Sequence, residues 1–159
     1  MRRLAIYWQE DCENILPLVI DSIRKNFPFL SPEKREVLAL NHTCYDPFRS
    51  QYDAVELLKT LPNDQISLYL ITEDIYFPGY RYLYGAGLTN KAIVSNYRIR
   101  TQEGYCKEVC HEMGHVLGLK HCLHHCLMQT STSEAEIESK GENFCAACQA
   151  QLKVMYLRN

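Results

Sequence analysis

The sequence lacks any long hydrophobic run, any excess of basic residues, and any repeat or low-complexity segment. No apolar run approaches the roughly 18 residues that a membrane-spanning helix needs. The formal net charge of −2 gives no electrostatic basis for binding nucleic acid, whose phosphates attract basic surfaces. From these absences we expect neither a membrane nor a nucleic acid among the partners.

The sequence also lacks a recognisable secretory leader. The apolar run that follows Met1-Arg2-Arg3 extends only from Leu4 to Trp8, which is too short for the hydrophobic part of a signal peptide. We therefore expect a cytoplasmic protein. The chain has eight cysteines, and in the cytoplasm cysteines are metal ligands or free thiols more often than disulfides.

Strands and helices are predicted to alternate in the first half of the chain. Apolar runs predict three buried strands, and apolar residues at helical spacing predict a helix between each pair of them. The strands are Leu4–Trp8, Val37–Leu40 and Ile66–Ile71, and the helices are one capped by Asn14 that carries Ile15 to Phe27 and one from Val55 to Leu61. This order requires crossover connections and predicts a largely parallel sheet.

The second half begins differently. Two extended runs, Tyr82–Gly87 and Ala92–Tyr97, are joined by only four residues and predict an antiparallel pair of strands. A helix is expected from about Thr101 to Leu117, and a final helix begins near Ala146. With 159 residues, the chain is expected to form one domain and a monomer.

The predicted helix from Thr101 to Leu117 carries a spacing that suits a metal site. His111 and His115 are four residues apart, so both imidazoles lie on one face of the helix. Gly118 can adopt the left-handed conformation that ends a helix, after which His121 returns as a third ligand. Three protein ligands leave a fourth position for water, which is the arrangement of a catalytic zinc rather than a structural one.

Glu112 lies off the face that carries the two histidines, but it can reach a water on the metal. Zinc lowers the pKa of such a water to about 7. A carboxylate within reach of that water can accept a proton from it. Nearby tyrosines are interpreted as packing residues rather than as cleft residues; they are Tyr76, Tyr80, Tyr82 and Tyr84.

The signature from His111 through Gly118 to His121 is that of the metzincin zinc peptidases. Four cysteines and a methionine follow it, and with them the chain resembles the archaemetzincin (archaelysin) family; they are Cys122, Cys126, Met128, Cys145 and Cys148. The resemblance implies a two-lobed fold of the α/β (α+β) class in a single catalytic domain, 1–159. Residues 1–118 would hold a mixed β-sheet with flanking helices and the active-site helix, and residues 119–159 a small zinc-stabilised lobe.

The same resemblance implies two zinc ions with separate ligand sets. The catalytic zinc would take His111, His115 and His121, with Glu112 as base and Met128 as the supporting methionine of the Met-turn. The structural zinc would take Cys122, Cys126, Cys145 and Cys148. Two spacings are one residue shorter than in the family pattern, so His124 and His125 stay open as alternatives to Cys126. Where other metzincins have a tyrosine two residues past the methionine, this chain has Thr130.

Two functions fit these residues. The first is a zinc peptidase that acts on peptides or unfolded protein segments. The alternative is a non-catalytic zinc module that holds a peptide or protein partner in its cleft. The presence of Glu112 favours the peptidase, because zinc binding alone does not need it.

Two further cysteines, Cys106 and Cys110, lie four residues apart on the predicted helix that carries the histidines. They are interpreted as core packing rather than as a third metal site.

Overall fold

The computed structural model describes residues 1–63 and 65–156, which form eight strands and five α-helices. The strands are β1 (Arg2–Trp8), β2 (Leu30–Val37), β3 (Tyr45–Asp46), β4 (Gln51–Asp53), β5 (Ile66–Ile71), β6 (Ile75–Tyr76), β7 (Gly85–Leu88) and β8 (Lys91–Ser95). The helices are α1 (Leu16–Asn26), α2 (Ala54–Lys59), α3 (Gln102–Val116), α4 (Glu134–Ser139) and α5 (Ala146–Tyr156). None of these helices is long and apolar enough to cross a membrane.

The main sheet is mixed. Its strand order is β2-β1-β5-β8-β7, in which the first four strands are parallel and β7 pairs antiparallel with β8. A small second sheet has the order β3-β4-β6. The predicted alternation of strands and helices is confirmed, and so is the antiparallel pair at the end of the sheet. The fold is the expected mixed α/β class with flanking helices.

The central strands are buried on both faces, which explains why they appear in the sequence as continuous apolar runs. On β1, Leu4 and Ile6 belong to one core cluster, whereas Ala5 and Tyr7 belong to another on the opposite face. Strand β5 alternates in the same way. Helices α1 and α3 cover the first face, and α2 covers the second.

Strand β2 corrects one prediction. The strand expected at Val37–Leu40 is wrong, because β2 occupies Leu30–Val37. It is an edge strand that pairs only with β1, and most of its residues are polar and partly exposed, so it has no apolar run. Pro32 is tolerated there because an edge strand needs fewer backbone donors. The residues after β2 contribute apolar side chains to the second cluster without forming a strand; they are Leu38 and Leu40.

Two smaller differences concern the start of α1 and the presence of α4. Asn14 does not cap α1, because a 3-10 helix at Glu10–Ile15 comes first and α1 begins at Leu16, with Pro17 in its first turn. Helix α4 has no counterpart among the predictions, since its six residues are mostly polar. Its only fully buried residue is Ile137, and Ser133 caps it by accepting a hydrogen bond from the backbone N–H of Glu136 (3.2 Å).

Candidate metal centres and active-site cleft

Helix α3 presents the histidines, and both of its ends are specified by side chains or glycine. At its N-terminus, the Thr101 hydroxyl accepts a hydrogen bond from the N–H of Gly104 (3.1 Å). At its C-terminus, Gly118 has φ = +94°, and its N–H donates to the carbonyl of His115 (2.9 Å). The N–H of Leu119 donates to the carbonyl of Gly114 (2.9 Å), which completes a Schellman motif. The predicted turn at Gly118 is confirmed, and it redirects the chain toward His121.

The three histidines predicted from the sequence lie together. Nε2 of His115 is 3.1 Å from Nε2 of His111 and 3.2 Å from Nε2 of His121. Nitrogens bound to one tetrahedral zinc at about 2.0–2.1 Å are separated by little more than 3 Å. The observed separations are therefore close to those that a shared zinc ion requires.

In two of the imidazole rings, a hydrogen bond at Nδ1 determines which ring nitrogen carries the hydrogen. Nδ1 of His111 lies 2.7 Å from the carbonyl oxygen of Leu127, and Nδ1 of His115 lies 2.9 Å from that of Leu119. A carbonyl only accepts, so each Nδ1 carries the hydrogen and each Nε2 directs a lone pair at its neighbour. Lone pairs 3.1 Å apart repel each other unless a cation lies between them. This arrangement fits a metal ion.

Burial keeps these imidazoles in the neutral form that binds metals. It lowers the pKa of His111 to about 4 and also lowers the pKa of His115. His121 is exposed, and the loop after Gly118 brings it to the other two histidines. Two rigid histidines on a helix and one on a loop are thus brought to one point.

Glu112 is buried next to this cluster, and strand β7 packs directly on it. Two glycines of β7 make that approach possible. A Cβ at Gly85 would lie 2.8 Å from Cγ of Glu112, and a Cβ at Gly87 would lie 2.7 Å from the carbonyl oxygen of Glu112. Burial and the neighbouring carboxyl of Glu108 raise the pKa of Glu112 well above its ordinary value, whereas Lys140 opposes this effect.

Glu108 and Lys140 form a buried ion pair one helical turn from Glu112. Nζ of Lys140 donates to Oε2 of Glu108 at 3.2 Å, and the two side chains are 0% and 7% exposed. The backbone of Lys140 is anchored to α3 as well, because its carbonyl accepts a hydrogen bond from Nζ of Lys107 (3.0 Å). Glu112 therefore lies next to a fixed, buried ion pair rather than in bulk water.

These groups open into a cavity of about 450 Å³. The three histidines, Glu112 and the Glu108–Lys140 pair lie on its wall, together with the segment after Met128. Three of the four tyrosines interpreted as packing residues also line it. The interpretation is wrong for Tyr80, which is exposed, whereas Tyr82 and Tyr84 pack against the core and line the cavity as well. Tyr76 instead lies beneath the guanidinium of Arg49 (4.0 Å). Thr130 lines the same cavity.

The four cysteines form a second cluster. Their sulfur atoms all lie within 4.8 Å of one another, and Cys122 Sγ is 3.7 Å from Cys145 Sγ. Sulfurs bound to one tetrahedral zinc at about 2.3 Å are separated by nearly this distance. Backbone N–H groups of Met128 (3.4 Å) and Cys145 (3.2 Å) donate to Cys126 Sγ. Such donors favour the thiolate, and a backbone hydrogen bond lowers the pKa of Cys145 to about 7, whereas burial raises the pKa of Cys126 and that of Cys148.

The alternatives to Cys126 do not join this cluster. Cys126 is fully buried with its sulfur among the other three, whereas His124 and His125 are exposed and belong to neither group of ligand atoms among the described residues. Cys106 and Cys110 stay outside both groups too. Cys110 is buried and accepts a hydrogen bond from Nδ2 of Asn26 on α1 (3.6 Å), as packing predicts.

One tight turn connects the two clusters. The N–H of Gln129 donates to the carbonyl of Cys126 (3.0 Å), which closes the turn, and the intervening Leu127 carbonyl accepts from His111. Met128, the third residue of the turn, is fully buried against α3 where Gly114 has no side chain, and a Cβ there would overlap with Sδ of Met128. The position of one histidine is therefore tied to the position of one cysteine.

Comparisons with known proteins identify the class of enzyme and the family to which this chain belongs. Residues 39–154 match the model of Peptidase family M54, and the enzyme is a zinc metallopeptidase. The chain belongs to peptidase family M54. The archaemetzincin of Nanoarchaeum equitans (strain Kin4-M) is 36% identical over 138 residues, which cover 84% of this chain and 80% of that protein.

Solved structures agree with the family. The crystal structure of archaemetzincin from Archaeoglobus fulgidus, in complex with malonate, matches with a TM-score of 0.88 at 28% identity and covers 94% of this chain and 99% of that chain. The archaemetzincin structure from Methanopyrus kandleri matches with a TM-score of 0.87 at 26% identity and covers 99% of this chain and 96% of that one. The predicted family and fold class are confirmed.

The sequence does not predict some of the residues that surround the candidate site. The Glu108–Lys140 pair joins residues 32 positions apart, and no local pattern links them. A signal existed only for Glu108, which precedes Glu112 by four residues on the same helix. Gly85 and Gly87 are two residues apart on β7, so both face the same side of the sheet. Glycines at this spacing are typical of a strand that another backbone approaches closely.

Gly87→Ala tests the close approach of β7 to the active-site helix. The new methyl group would overlap with the backbone carbonyl of Glu112, which cannot rotate away, so strand and helix must separate. We expect the free energy of unfolding to fall by about 1–3 kcal/mol. Thermal unfolding measures the loss, with Leu88→Ala on the exposed end of β7 as the control. Equal stability of Gly87→Ala and the wild type would contradict the contact.

Proposed function

We propose that the enzyme hydrolyses peptide bonds of peptides or unfolded protein segments at the histidine cluster, with Glu112 as the general base. One observation carries this proposal. Three imidazoles direct their Nε2 atoms at one point beside a buried carboxyl group, in a cavity that a peptide can enter. A non-catalytic zinc module does not require a buried carboxylate at that place.

Each residue has a role that follows from its position. His111, His115 and His121 would hold the zinc through Nε2, and the carbonyls behind the first two rings fix their orientation. When bound, zinc supplies a Lewis acid for the peptide carbonyl and makes a neighbouring water more acidic. Glu112 accepts a proton at its carboxylate and delivers it to the leaving amine, and its raised pKa suits it to both steps.

The substrate backbone would pair with the edge strand β7. This strand has one neighbour in the main sheet, β8, and Gly85 lies on the wall of the cavity. An extended peptide can add to such an edge through main-chain hydrogen bonds. Without side chains at Gly85 and Gly87, the strand lies close to the helix that carries the histidines, so a peptide paired with it would lie beside them.

The second cluster would hold a structural zinc through its four cysteines. Four thiolates complete a tetrahedral shell and leave no position for water. The turn from Cys126 to Gln129 would then act as the Met-turn, supporting the histidines from below through Met128. In this proposal residues 119–156 form a small lobe whose position depends on that metal.

Stepwise addition of zinc tests the proposal. Four thiolates bind zinc more tightly than three imidazoles with an open position, so the first equivalent should fill the cysteine cluster. We expect the first equivalent to raise the thermal midpoint and the second to produce cleavage of a diverse peptide mixture, read by mass spectrometry. Full activity after one equivalent would contradict the assignment of two ions, and no cleavage with two ions bound would contradict peptidase action on these peptides.

A further inference from the structure

A second cavity lies beside the active-site cavity and is larger, with a volume of about 760 Å³. Among the residues that the structure describes, its wall carries three arginines, Arg49, Arg81 and Arg98, and one carboxylate, that of Asp74. The whole chain has a net charge of −2, so this local excess of positive charge departs from the average of the molecule. No role was predicted for these residues from the sequence.

The floor of the cavity is a fixed network of polar groups. Gln51 is only 5% exposed, and its Nε2 donates to Oδ2 of Asp74 and to the carbonyl oxygen of Arg81, both at 2.9 Å. Its Oε1 accepts a hydrogen bond from Nε of Arg49 (3.1 Å). Arg98 donates to both oxygens of Asp74, at 2.8 and 2.7 Å. One buried amide therefore positions groups from three separate parts of the chain.

Two of the three guanidinium charges are not balanced within this network. Asp74 is bound by Arg98, which neutralises that pair. The guanidinium of Arg49 donates to neutral acceptors, Gln51 and the carbonyls of Tyr80 and Arg81, and it stacks on Tyr76, which fixes its orientation. The side chain of Arg81 is exposed and has no ion pair or hydrogen bond among the described residues. Planar guanidinium groups placed in this way recognise a carboxylate.

The two cavities share a wall formed by Tyr80, Arg81 and Tyr82. The turn before this wall is well defined, since the N–H of Tyr80 donates to the carbonyl of Phe77 (2.9 Å) and Gly79 has φ = +94°. At its other end, Tyr82 packs under the guanidinium of Arg98 (4.0 Å). The arginines therefore lie within a few residues' reach of a peptide that would cross the active-site cavity.

We propose that the cavity lined by Arg49, Arg81 and Arg98 is a substrate subsite that binds an acidic side chain, aspartate or glutamate, close to the bond that is cleaved. The proposal rests on the peptidase function proposed above and deepens it. Arg81 makes the contact that depends on charge, and Arg49 assists it. Gln51 and Asp74 act as positioning residues that hold the guanidinium groups in place.

The test uses the zinc-loaded enzyme and a set of amidated peptides of one sequence. Each carries either glutamate or glutamine at one position within four residues of the bond that is cleaved, so the side chain is the only carboxylate that varies. At one position we expect the glutamate peptide to be cleaved with a kcat/KM about tenfold above that of the glutamine peptide, because a partly exposed charge-assisted contact contributes about this much. Equal rates at every position would overturn the subsite while leaving the peptidase intact.

Variants of Arg81 separate a charge contact from a structural effect. In Arg81→Gln the ratio of glutamate to glutamine cleavage should fall toward one, and Arg81→Glu should instead favour a peptide with lysine at that position. A merely structural defect would lower all rates by the same factor and keep the ratio. The matched control is Arg24→Gln, an exposed arginine on α1 that should keep the wild-type ratio. An unchanged ratio in both Arg81 variants would overturn the proposal.

Direct binding distinguishes failure of the subsite from failure of the proposed function. If the enzyme with two zinc ions cleaves no peptide, fluorescence anisotropy can still compare labelled glutamate and glutamine peptides. Binding of the glutamate peptide about tenfold more tightly, lost in Arg81→Gln, would support the subsite even without turnover. Equal affinity of the two peptides would overturn it.

Discussion

Glu112→Gln is expected to lower kcat/KM for peptide cleavage about 10³-fold, which lies within the range that a positioned general base contributes. The amide has nearly the same shape as the carboxyl group but cannot accept the proton. Zinc content should stay at the wild-type level, because the three imidazoles, not Glu112, provide the converging Nε2 atoms. Cleavage by mass spectrometry and zinc content measured on the same samples decide the outcome.

Glutamine is chosen over alanine because Glu112 is packed against β7. Removal of its side chain would leave a cavity opposite Gly85 and Gly87 and would mix a loss of packing with a loss of chemistry. Glu103→Gln is the matched control, since it makes the same change on the same helix at an exposed site. Retention of more than about a tenth of the activity by Glu112→Gln would contradict its role as the base.

The environment of Glu112 supports this role on electrostatic grounds. A carboxyl group in water is a weak base, and burial together with the nearby Glu108 makes this one hold a proton more strongly. Lys140 opposes the effect, so the ion pair next to Glu112 adjusts the proton affinity of this carboxyl group rather than only filling space. Perturbed carboxyl groups of this kind concentrate at active sites.

The histidine helix could be predicted from the sequence because all of its signals are local. Thr101 caps it, the spacing of His111 and His115 sets one face, and Gly118 ends it, each within a few residues of the part it specifies. The cysteines were predictable for a related reason, since a metal cluster needs particular atoms whatever the path of the chain between them. Strand β2 had no such signal, because an edge strand with polar residues resembles a loop.

The remaining part of the site depends on contacts between distant segments. Gln51 bonds to Asp74 and to the backbone of Arg81 across more than twenty positions of the chain. Each of these residues alone is a common surface residue, and only the small second sheet brings Gln51 next to β6. The tyrosines illustrate the same limit. An aromatic residue in an extended run packs in the core, lines a cleft or does both according to what lies opposite, which periodicity does not reveal.

Cys145→Ser is expected to remove one zinc ion and to lower the free energy of unfolding by more than about 4 kcal/mol, because loss of a structural metal is among the few single changes with so large an effect. Its sulfur lies 3.7 Å from that of Cys122, and its N–H donates to Cys126, so the substitution breaks the cluster at its centre. Thermal unfolding and zinc content measure the two effects.

The same variant should also lose peptide cleavage, although Cys145 does not line the active-site cavity. Without its metal, the turn that begins at Cys126 is no longer held, and the Leu127 carbonyl that orients His111 moves with it. Cys122 is adjacent to His121, so a second histidine loses its support at the same time. Cys106→Ser is the control, because that thiol belongs to neither cluster and should keep both zinc ions. A full zinc complement with an unchanged thermal midpoint in Cys145→Ser would show that the cysteine cluster holds neither a metal nor the turn, and the dependence of one centre on the other would fall with it.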